Sequence, residues 1–445
     1  AGTPLFCKDA TLNAIFRAFR SGRFGGNQTS LIRLLSLDVC RSIADMARDD
    51  AERKRALDMY FNEHLSMDHI RVVFTDKSFT FLAVNRDTEA LQYASPPLKN
   101  DFDVVLATVK KNPQCHALKW ASEELKATFK FMLAFVEHSP WALKHASEDL
   151  KNNITVVMAA VKQCSRALRF ASEEVRNDKE VVMEAVKNAG FKNTRFQHAG
   201  TTVDVTLSYA SEDLRNDKDV IMAAVQLPPL ASGNGSALKY ASERLRDDRD
   251  VIMAAVRQNG YALQHASLRK KNDKTVVMEA VGQNGYALQY ANRNLKRDIV
   301  VVLAAVANRG DALQYASDGL RSNRYVALAS VRQNGCSLVW VDTVLKADKE
   351  VVKAAVEQDG LALASASKRL KNDFEVVMAA VNNDAYALAE AGKEMQDVKR
   401  VVLAAVGNRG MTLQHASDDL RNDKEVVMAA VTQNPMAWNF ASDRL

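Results

Sequence analysis

Hydrophobic positions along this chain recur with a period of 25 residues. In the stretch that begins at Ala237, the apolar residues Ala237, Leu238, Ala241 and Leu245 are spaced i, i+1, i+4 and i+8, which is one face of a helix. A polar turn follows, and then an apolar run, as at residues 376–381, that predicts a helix buried on several sides. Each unit is therefore predicted to be two helices, helix A and helix B, joined by a turn.

This unit starts 14 times, and from Ala237 onward the spacing is 25 without exception. Helices shorter than about 12 residues are marginal in water because nucleation is costly, so stacking of each unit on the next must supply the stability. We therefore predict an all-α fold, an α-solenoid of about 14 units. The starts are Ala90, Ala117, Ala142, Ala167, Thr206, Ala237, Ala262, Ala287, Ala312, Ser337, Ala362, Ala387, Thr412 and Ala437.

Local signals predict how the helices begin and end. Asn177 with Glu180 has the spacing of an N-cap with a capping box, and the same arrangement recurs at Asn372 and Asn422. Helix B is followed by a glycine in several units, as at Gly260, Gly285, Gly310, Gly335 and Gly410, which predicts a left-handed C-cap.

Two units depart from the core pattern. Lys270 occupies a position where other units place a core Leu, and Leu268, two residues earlier, is the candidate to replace it. The unit from Ser337 carries Trp340, which is a candidate partner contact. Local repacking is the preferred interpretation of both departures, and a contact site is the alternative.

Residues 412–431 resemble a helical repeat family known as domain of unknown function 4116, found in protist, algal and bacterial proteins. The pattern of that family is similar to Ala-Leu-x-Tyr-Ala-Ser-x-x-Leu-Arg-Asn-Asp-x-x-Val-Val-x-x-Ala-Val, and this stretch departs from it with Thr412 for the first Ala and His415 for the Tyr. The resemblance covers about four fifths of the chain. It implies a repeat scaffold and transfers no catalytic residue.

The repeat array is assigned to residues 89–445 and carries two inserts, near residues 190–205 and 227–236. Both inserts follow a helix B, so they are expected to project from the same edge at adjacent units. Tolerated surface loops are the preferred interpretation, and partner-docking loops are the alternative. The candidate contact residues in them are Phe191, Phe196, Leu227 and Leu230.

Residues 1–88 do not follow the repeat and are expected to be mostly helical. Within them, residues 69–84 fit either a β-hairpin or a helix. This region is predicted to cap the apolar face of the first unit or to serve as a docking module. Phe16 and Phe19, which lie among arginines, are the candidate contacts there.

The helix A position just before the second Ala of each unit is aromatic or His in 12 of 14 units. Packing between units is the preferred interpretation, because this position adjoins the apolar stripe. A track that stacks single-stranded nucleic-acid bases, one per unit, is the alternative. The members of this ladder are Tyr93, Trp120, His145, Phe170, Tyr209, Tyr240, His265, Tyr290, Tyr315, Trp340, His415 and Phe440.

Composition narrows the class of protein. The 60 Lys and Arg exceed the 54 Asp and Glu by only six, an excess too small to indicate nucleic-acid binding. The longest apolar stretch, residues 299–307, is about half of the roughly 18 residues that a membrane span needs, so we expect a soluble protein. Five scattered cysteines indicate reduced thiols and an intracellular location, either cytoplasm or organelle, and the missing initiator Met permits a processed organellar protein.

No catalytic or metal-binding motif stands out. The eight histidines form no set with the ligand spacing of a metal site, and the sequence holds no glycine-rich phosphate loop. We expect no enzymatic activity, no cofactor and no metal. The function predicted is a non-catalytic scaffold, adaptor or structural subunit that binds one or more proteins within a larger complex. Single-stranded nucleic-acid binding through the ladder is the alternative function.

Overall fold

The computed structural model describes residues 74–112, 114–189, 203–227 and 237–442. All regular secondary structure in these residues is helical, which confirms the predicted all-α repeat fold. The chain forms two compact units, each made of several repeats. We call them the first unit, Ala1–Leu214, and the second unit, Arg215–Leu445. A complete repeat in the described residues consists of helix A, a short turn helix and helix B. Within each compact unit, helix B packs against helix B of the next repeat.

Helix A is a 3₁₀ helix in most repeats, and helix B is an α-helix. Helix A spans Thr88–Tyr93, His116–Trp120, Pro140–His145, Ser165–Phe170, Val203–Leu207, Ala237–Tyr240, Gly260–His265, Gly285–Tyr290, Gly310–Tyr315, Gly335–Trp340, Gly360–Ser365, Ala385–Glu390, Gly410–His415 and Pro435–Phe440. Helix B spans Lys77–Arg86, Phe102–Lys111, Phe129–His138, Ile154–Gln163, Lys179–Ala189, Lys218–Val225, Arg249–Gln258, Lys274–Gln283, Ile299–Asn308, Arg324–Gln333, Lys349–Gln358, Phe374–Asn383, Lys399–Asn408 and Lys424–Gln433.

The turn helix has one turn and separates helix A from helix B. It spans Pro96–Lys99, Glu123–Ala127, Glu148–Lys151, Glu173–Arg176, Glu212–Arg215, Glu243–Arg246, Leu268–Lys271, Leu295–Arg297, Asp318–Arg321, Leu345–Ala347, Lys368–Lys371, Lys393–Gln396 and Asp418–Arg421. The core between the helices consists of the small and branched residues of the period. The residues of the helix A stripe, Ala237, Leu238, Ala241 and Leu245, are all buried, as the spacing predicts.

The prediction of one continuous helix A was wrong, because the helix ends at the second Ala of the repeat. In the repeat from Ala262, Ala266 has φ −66° and ψ 155°, and Ser267 has φ −60° and ψ 158°, which are extended conformations. The break allows the hydroxyl of Ser267 to accept a hydrogen bond from the main-chain N–H of Lys270, and so to cap the turn helix. The main-chain N–H of Ser267 is turned outward and donates to the carbonyl of Arg246 in the preceding repeat.

The capping prediction was wrong by one residue. Asn372 ends the turn helix, and the N-cap of helix B is Asp373, whose carboxylate accepts hydrogen bonds from the main-chain N–H groups of Glu375 and Val376. Asn177 and Asn422 are likewise C-caps of their turn helices. A short helix inserted before helix B moves the cap, and the sequence pattern did not reveal that helix.

The glycine after helix B has a different role from the one predicted. Asn259, at the C-cap, is extended at φ −156°, and Gly260 begins the next helix A without a left-handed conformation. A Cβ on Gly260 would overlap the main-chain carbonyl oxygen of Ala280, in helix B of the same repeat. Glycine is therefore used here for a close approach between helix A and helix B. Ser165 and Ala385 take this position in other repeats.

Leu268 does not replace the core Leu. Its side chain is 82% exposed, whereas Lys270 is only 7% exposed. Residues two apart on a helix point to nearly opposite sides, so Leu268 cannot reach the core position. The aliphatic stem of Lys270 fills that position instead.

Lys77–Arg86 is a helix, so the hairpin alternative was wrong for this part of residues 69–84. This helix packs against the helix B of the next repeat, Phe102–Lys111. It takes the place of a helix B, although it lies inside the segment assigned to the N-terminal region. Residues 1–73, with Phe16 and Phe19, lie outside the described residues, so the cap or docking role of that region stays a prediction.

Candidate interaction surface

The N-cap Asp of helix B joins neighbouring repeats. Oδ1 of Asp348 accepts hydrogen bonds of 2.9 and 3.1 Å from the main-chain N–H groups of Glu350 and Val351, and Oδ2 lies 2.9 Å from Nε of Arg324 in the preceding repeat. The hydrogen bond from Arg324 lowers the pKa of Asp348. The same ion pair recurs as Lys77–Asp101, Lys218–Asp248, Lys274–Asp298, Lys349–Asp373 and Lys399–Asp423.

The recurring Ser after the second Ala forms a second bridge between repeats. The main-chain N–H of Ser242 donates to the carbonyl of Arg215 at 3.1 Å, and its hydroxyl donates to Oδ1 of Asn216 at 2.6 Å. Equivalent hydroxyl bonds join Ser122 to Asn100, Ser172 to Asn152, Ser211 to Asn177, Ser267 to Asp247 and Ser417 to Asp397. The recurring Ser and its Asn or Asp acceptor are thus engaged in contacts between neighbouring repeats.

The aromatic ladder lies between repeats. Three ladder rings lie edge-to-face against an aromatic ring of the preceding repeat, with centroids 6.1 to 6.3 Å apart. The pairs are Trp141–Phe170, Tyr261–Tyr290 and Tyr286–Tyr315. Such pairs stabilise beyond the area that they bury, which supports a packing role for these rings. Tyr93, Tyr209, Tyr240, Tyr290 and Tyr315 are half-buried, whereas Trp120 and Trp340 are exposed at 36% and 38%.

The ladder histidines behave as neutral aromatic rings. Burial, with the charges of Lys144 and Lys126 beside the ring, lowers the pKa of His145 to about 4. Its Nε2 atom is buried without a hydrogen-bond partner. Burial also lowers the pKa of His265 and His415. At neutral pH these rings therefore resemble the Tyr and Phe that take the same position elsewhere.

Only some of the predicted contact residues lie within the described part of the chain. Trp340 is exposed at the end of a helix A, and Leu227 is half-buried just after a helix B. Phe191, Phe196 and Leu230 lie outside the described residues. The proposal that the two inserts form a docking patch therefore stays a prediction.

The repeat from Ser337 carries exposed apolar side chains that the sequence reasoning missed. Val339 is 48% exposed and Val344 is 76% exposed, and Trp340 lies beside Val339 in the same repeat. Val344 takes a position that is Glu, Asp or Arg in most repeats, and the position of Val339 is most often Lys or Gln. Aligning the repeats by their period would have identified both residues as apolar substitutions at polar positions. Exposed apolar groups concentrated in this way are typical of contact sites.

The exposed edge formed by the turn helices changes its charge along the sequence. In four repeats of the first unit, the two residues after the recurring Ser are both acidic, as in Glu123-Glu124 and Glu173-Glu174. In the five repeats from Ala262 to Ala362, these ten positions contain one acid, Asp318, and four basic residues. The edge formed by these five repeats therefore carries fewer negative charges than the equivalent edge of the first unit does.

A polar pocket of about 510 Å³ lies where helix B meets the next helix A in the second unit. Asp311 in this pocket accepts hydrogen bonds from the hydroxyl of Tyr286 at 3.1 Å, the amide of Asn334 at 2.5 Å and the hydroxyl of Ser337 at 3.0 Å. The amide of Gln333 is also engaged, because it accepts from the N–H of Gly310. The polar groups of this pocket are already hydrogen-bonded to one another. We therefore interpret the pocket as a polar contact between neighbouring repeats.

The described residues contain no cluster of His, Cys, Asp and Glu that could hold a metal ion. Burial raises the pKa of Cys115 to about 11, and the carboxylate of Asp359 raises that of Cys336 to about 11. Both thiols are therefore protonated at neutral pH and are poor nucleophiles. In the part of the chain that the structure covers, no helix is both long and apolar enough for a membrane crossing.

The fold and the bridges between repeats define an α-helical repeat protein. The family model described as Domain of unknown function (DUF4116) matches residues 76–126, 129–176, 156–200, 230–269, 271–296, 301–346, 348–396 and 399–445. Because these matches span well over half of the sequence, the chain belongs to this family. No curated protein and no solved structure matches the chain.

Proposed function

We propose that the chain is a non-catalytic scaffold that binds a partner protein through the repeat that begins at Ser337. The observation that carries this proposal is the concentration of Val339, Trp340 and Val344 as exposed apolar side chains in one repeat. Burying three such side chains in an interface contributes about 25 cal/mol per Å² of apolar area removed from water. The partner segment is expected to be apolar with flanking acidic residues, because the neighbouring turn helices are depleted in acids.

The test is affinity capture of the full chain from its native cells, in parallel with a variant that carries Val339→Gln and Val344→Glu. Gln and Glu occupy these positions in other repeats of the same chain, so the repeat itself tolerates them. The matched control is Val300→Thr, which alters an exposed apolar residue of another repeat to the Thr found at the same position in a neighbouring repeat.

We expect a fixed set of proteins to be recovered with the wild-type chain and with Val300→Thr, and to be lost with the double variant. Nuclease treatment and about 0.5 M salt are expected to leave this recovery unchanged, because apolar burial is screened little by salt. Equal recovery by all three chains would contradict the assignment to this repeat. Recovery that consists of RNA or DNA and vanishes with nuclease would favour the nucleic-acid alternative.

A further inference from the structure

The bridge made by the recurring Ser is altered between the repeats that begin at Ala287 and Ala312. In bridged repeats, the Ser hydroxyl donates to an Asn or Asp of the preceding repeat, and the side chain two residues after the Ser reaches the same group, as Arg269 does with Asp247. Here the acceptor position holds Arg297, and the residue two after Ser317 is Gly319. A guanidinium accepts no hydrogen bond, so Ser317 lacks this acceptor.

The altered bridge leaves an opening. Ser317 makes no side-chain cap hydrogen bond to its turn helix. A Cβ built on Gly319 would meet no atom within 4 Å. A pocket of about 560 Å³ is present here, within the usual size range of small-ligand sites, and Arg293, Lys296, Arg297, Tyr315, Ser317 and Gly319 are among its lining residues.

The pocket is cationic, and its arginines are available. Neither Arg293 nor Arg297 forms an ion pair or a side-chain hydrogen bond with any described residue, whereas Lys296 donates to the carbonyl of Gln289 at 2.6 Å. The acid that lines the pocket, Asp318, is paired with Arg321. Two arginines without a partner among the described residues therefore line a pocket whose one acidic residue, Asp318, is paired with Arg321.

We propose that this pocket binds a phosphate monoester on a serine or threonine of the partner protein. A phosphate monoester has a charge between −1.5 and −2 at neutral pH and three strong acceptor oxygens. Arginine guanidinium groups bind phosphate through two parallel hydrogen bonds, and the Ser317 hydroxyl adds a third donor. The inference rests on the proposed function for the identity of the partner, because the phosphate is carried by a protein.

The test uses the full chain and calorimetric titration with a Gly/Ala-rich peptide that contains one phosphoserine. The comparison probes are the same peptide without phosphate and inorganic phosphate. The main variant is Arg297→Asn, which restores the acceptor found in bridged repeats and is therefore expected to keep the chain folded. Gly319→Glu is a second variant, since it introduces the acid that other repeats carry and fills the opening. Arg332→Asn, an exposed arginine of the same repeat outside the pocket, is the matched control.

The phosphopeptide is expected to bind with a dissociation constant below about 1 mM, and Arg297→Asn is expected to weaken binding by roughly 10- to 100-fold, the usual effect of losing a charge-assisted hydrogen bond. Gly319→Glu should also weaken binding, and Arg332→Asn should not. The proposal is overturned if the unphosphorylated peptide or inorganic phosphate binds as tightly, if no probe binds, or if Arg297→Asn binds like the control. Such a failure would not contradict the proposed function. The capture experiment on Val339 and Val344 tests that function with different variants and a different readout.

Discussion

Gly285, at the start of a helix A, lies directly against the main-chain carbonyl oxygen of Ala305 in helix B of the same repeat. That oxygen also accepts the hydrogen bond from the N–H of Arg309 that closes helix B, so it cannot move away freely. The N–H of Gly285 is held in turn by the side chain of Asn308 at 2.8 Å. Helix A and helix B of one repeat are thus joined at a point where only a hydrogen atom fits on the α-carbon.

Gly285→Ala is expected to lower the free energy of unfolding by about 1 to 3 kcal/mol, the usual cost of overpacking. The presence of Ala385 at the same position in another repeat shows that the backbone can adjust, which keeps the cost in this range. Gly282→Ala is the control, because a Cβ there meets nothing within 4 Å. That change should raise stability by about 0.5 to 1 kcal/mol, since Gly282 lies inside helix B. Urea unfolding of both variants measures the difference, and a similar sign for both would contradict the close approach.

Asp348 combines an N-cap with an ion pair, and two substitutions separate these contributions. Asp348→Asn keeps an acceptor for the N–H groups of Glu350 and Val351 but loses the charge facing Arg324, so it should cost less than about 1 kcal/mol. Asp348→Ala loses the cap as well and should cost about 1 to 2 kcal/mol. The measurement is urea unfolding at low and high salt. Equal losses for Asn and Ala would show that the cap contributes little.

The pKa of Asp348 also predicts a dependence on pH. The folded-state pKa lies below that of the unfolded chain, so the contribution of this carboxylate is fully present above about pH 4 and is lost as the pH falls through its folded value. Unfolding of the wild-type chain and of Asp348→Asn between pH 5 and pH 3 should therefore converge as the pH falls. A constant difference between them over this range would contradict the expected titration.

His145 predicts a second pH effect, in a different window. Its pKa of about 4 in the folded chain lies below the ordinary value of 6.5, so the unfolded state binds the proton more readily and stability falls as the pH drops from about 6.5 to 4. His145→Phe, which copies Phe170 at the same ladder position, should reduce this loss by about 1 kcal/mol, a value discounted for the partial exposure of the ring. Urea unfolding of both chains at pH 7 and pH 4.5 measures this loss of stability. His138→Gln, on an exposed ring, is the control and should leave the difference unchanged.

Leu288 tests the core of the stack. The side chain is fully buried, so Leu288→Ala should lower the free energy of unfolding by about 2 to 5 kcal/mol. Leu361, 44% exposed in another helix A, is the matched control, and Leu361→Ala should change stability by less than about 0.5 kcal/mol. Denaturant unfolding of the two variants gives the comparison. A small loss of unfolding free energy for Leu288→Ala would mean that neighbouring side chains move into the space left by the leucine.

The sequence predicted the buried stripe of Ala237, Leu238, Ala241 and Leu245 correctly because burial follows the period of the pattern, and it failed at Leu268, where the period is interrupted. It assigned the wrong roles to Asn177 and Gly260 because the rules applied to them are local. Those rules consider neighbours within about four residues, whereas the hydroxyl of Ser211 bonds to Asn177 from the next repeat, and the carbonyl of Ala280 lies 20 residues beyond Gly260. Of the residues in the proposed contact site, Trp340 stood out in the sequence as an aromatic residue, whereas Val339 and Val344 stand out only when the repeats are aligned by their period. Their exposure is shown only by the packed repeat.

The sequence by itself determined the period and the family, because both are properties of the repeated pattern. It also determined the all-α class, because short helices with a repeated apolar face bury that face by stacking on one another. The tertiary structure decided what the recurring polar residues do, and it separated Leu268 from Lys270 as exposed and buried. It also decided where the stack is left open, at Arg297 and Gly319. The physical reason is that each of these outcomes depends on contacts between repeats, and those contacts exist only once one repeat is packed on the next.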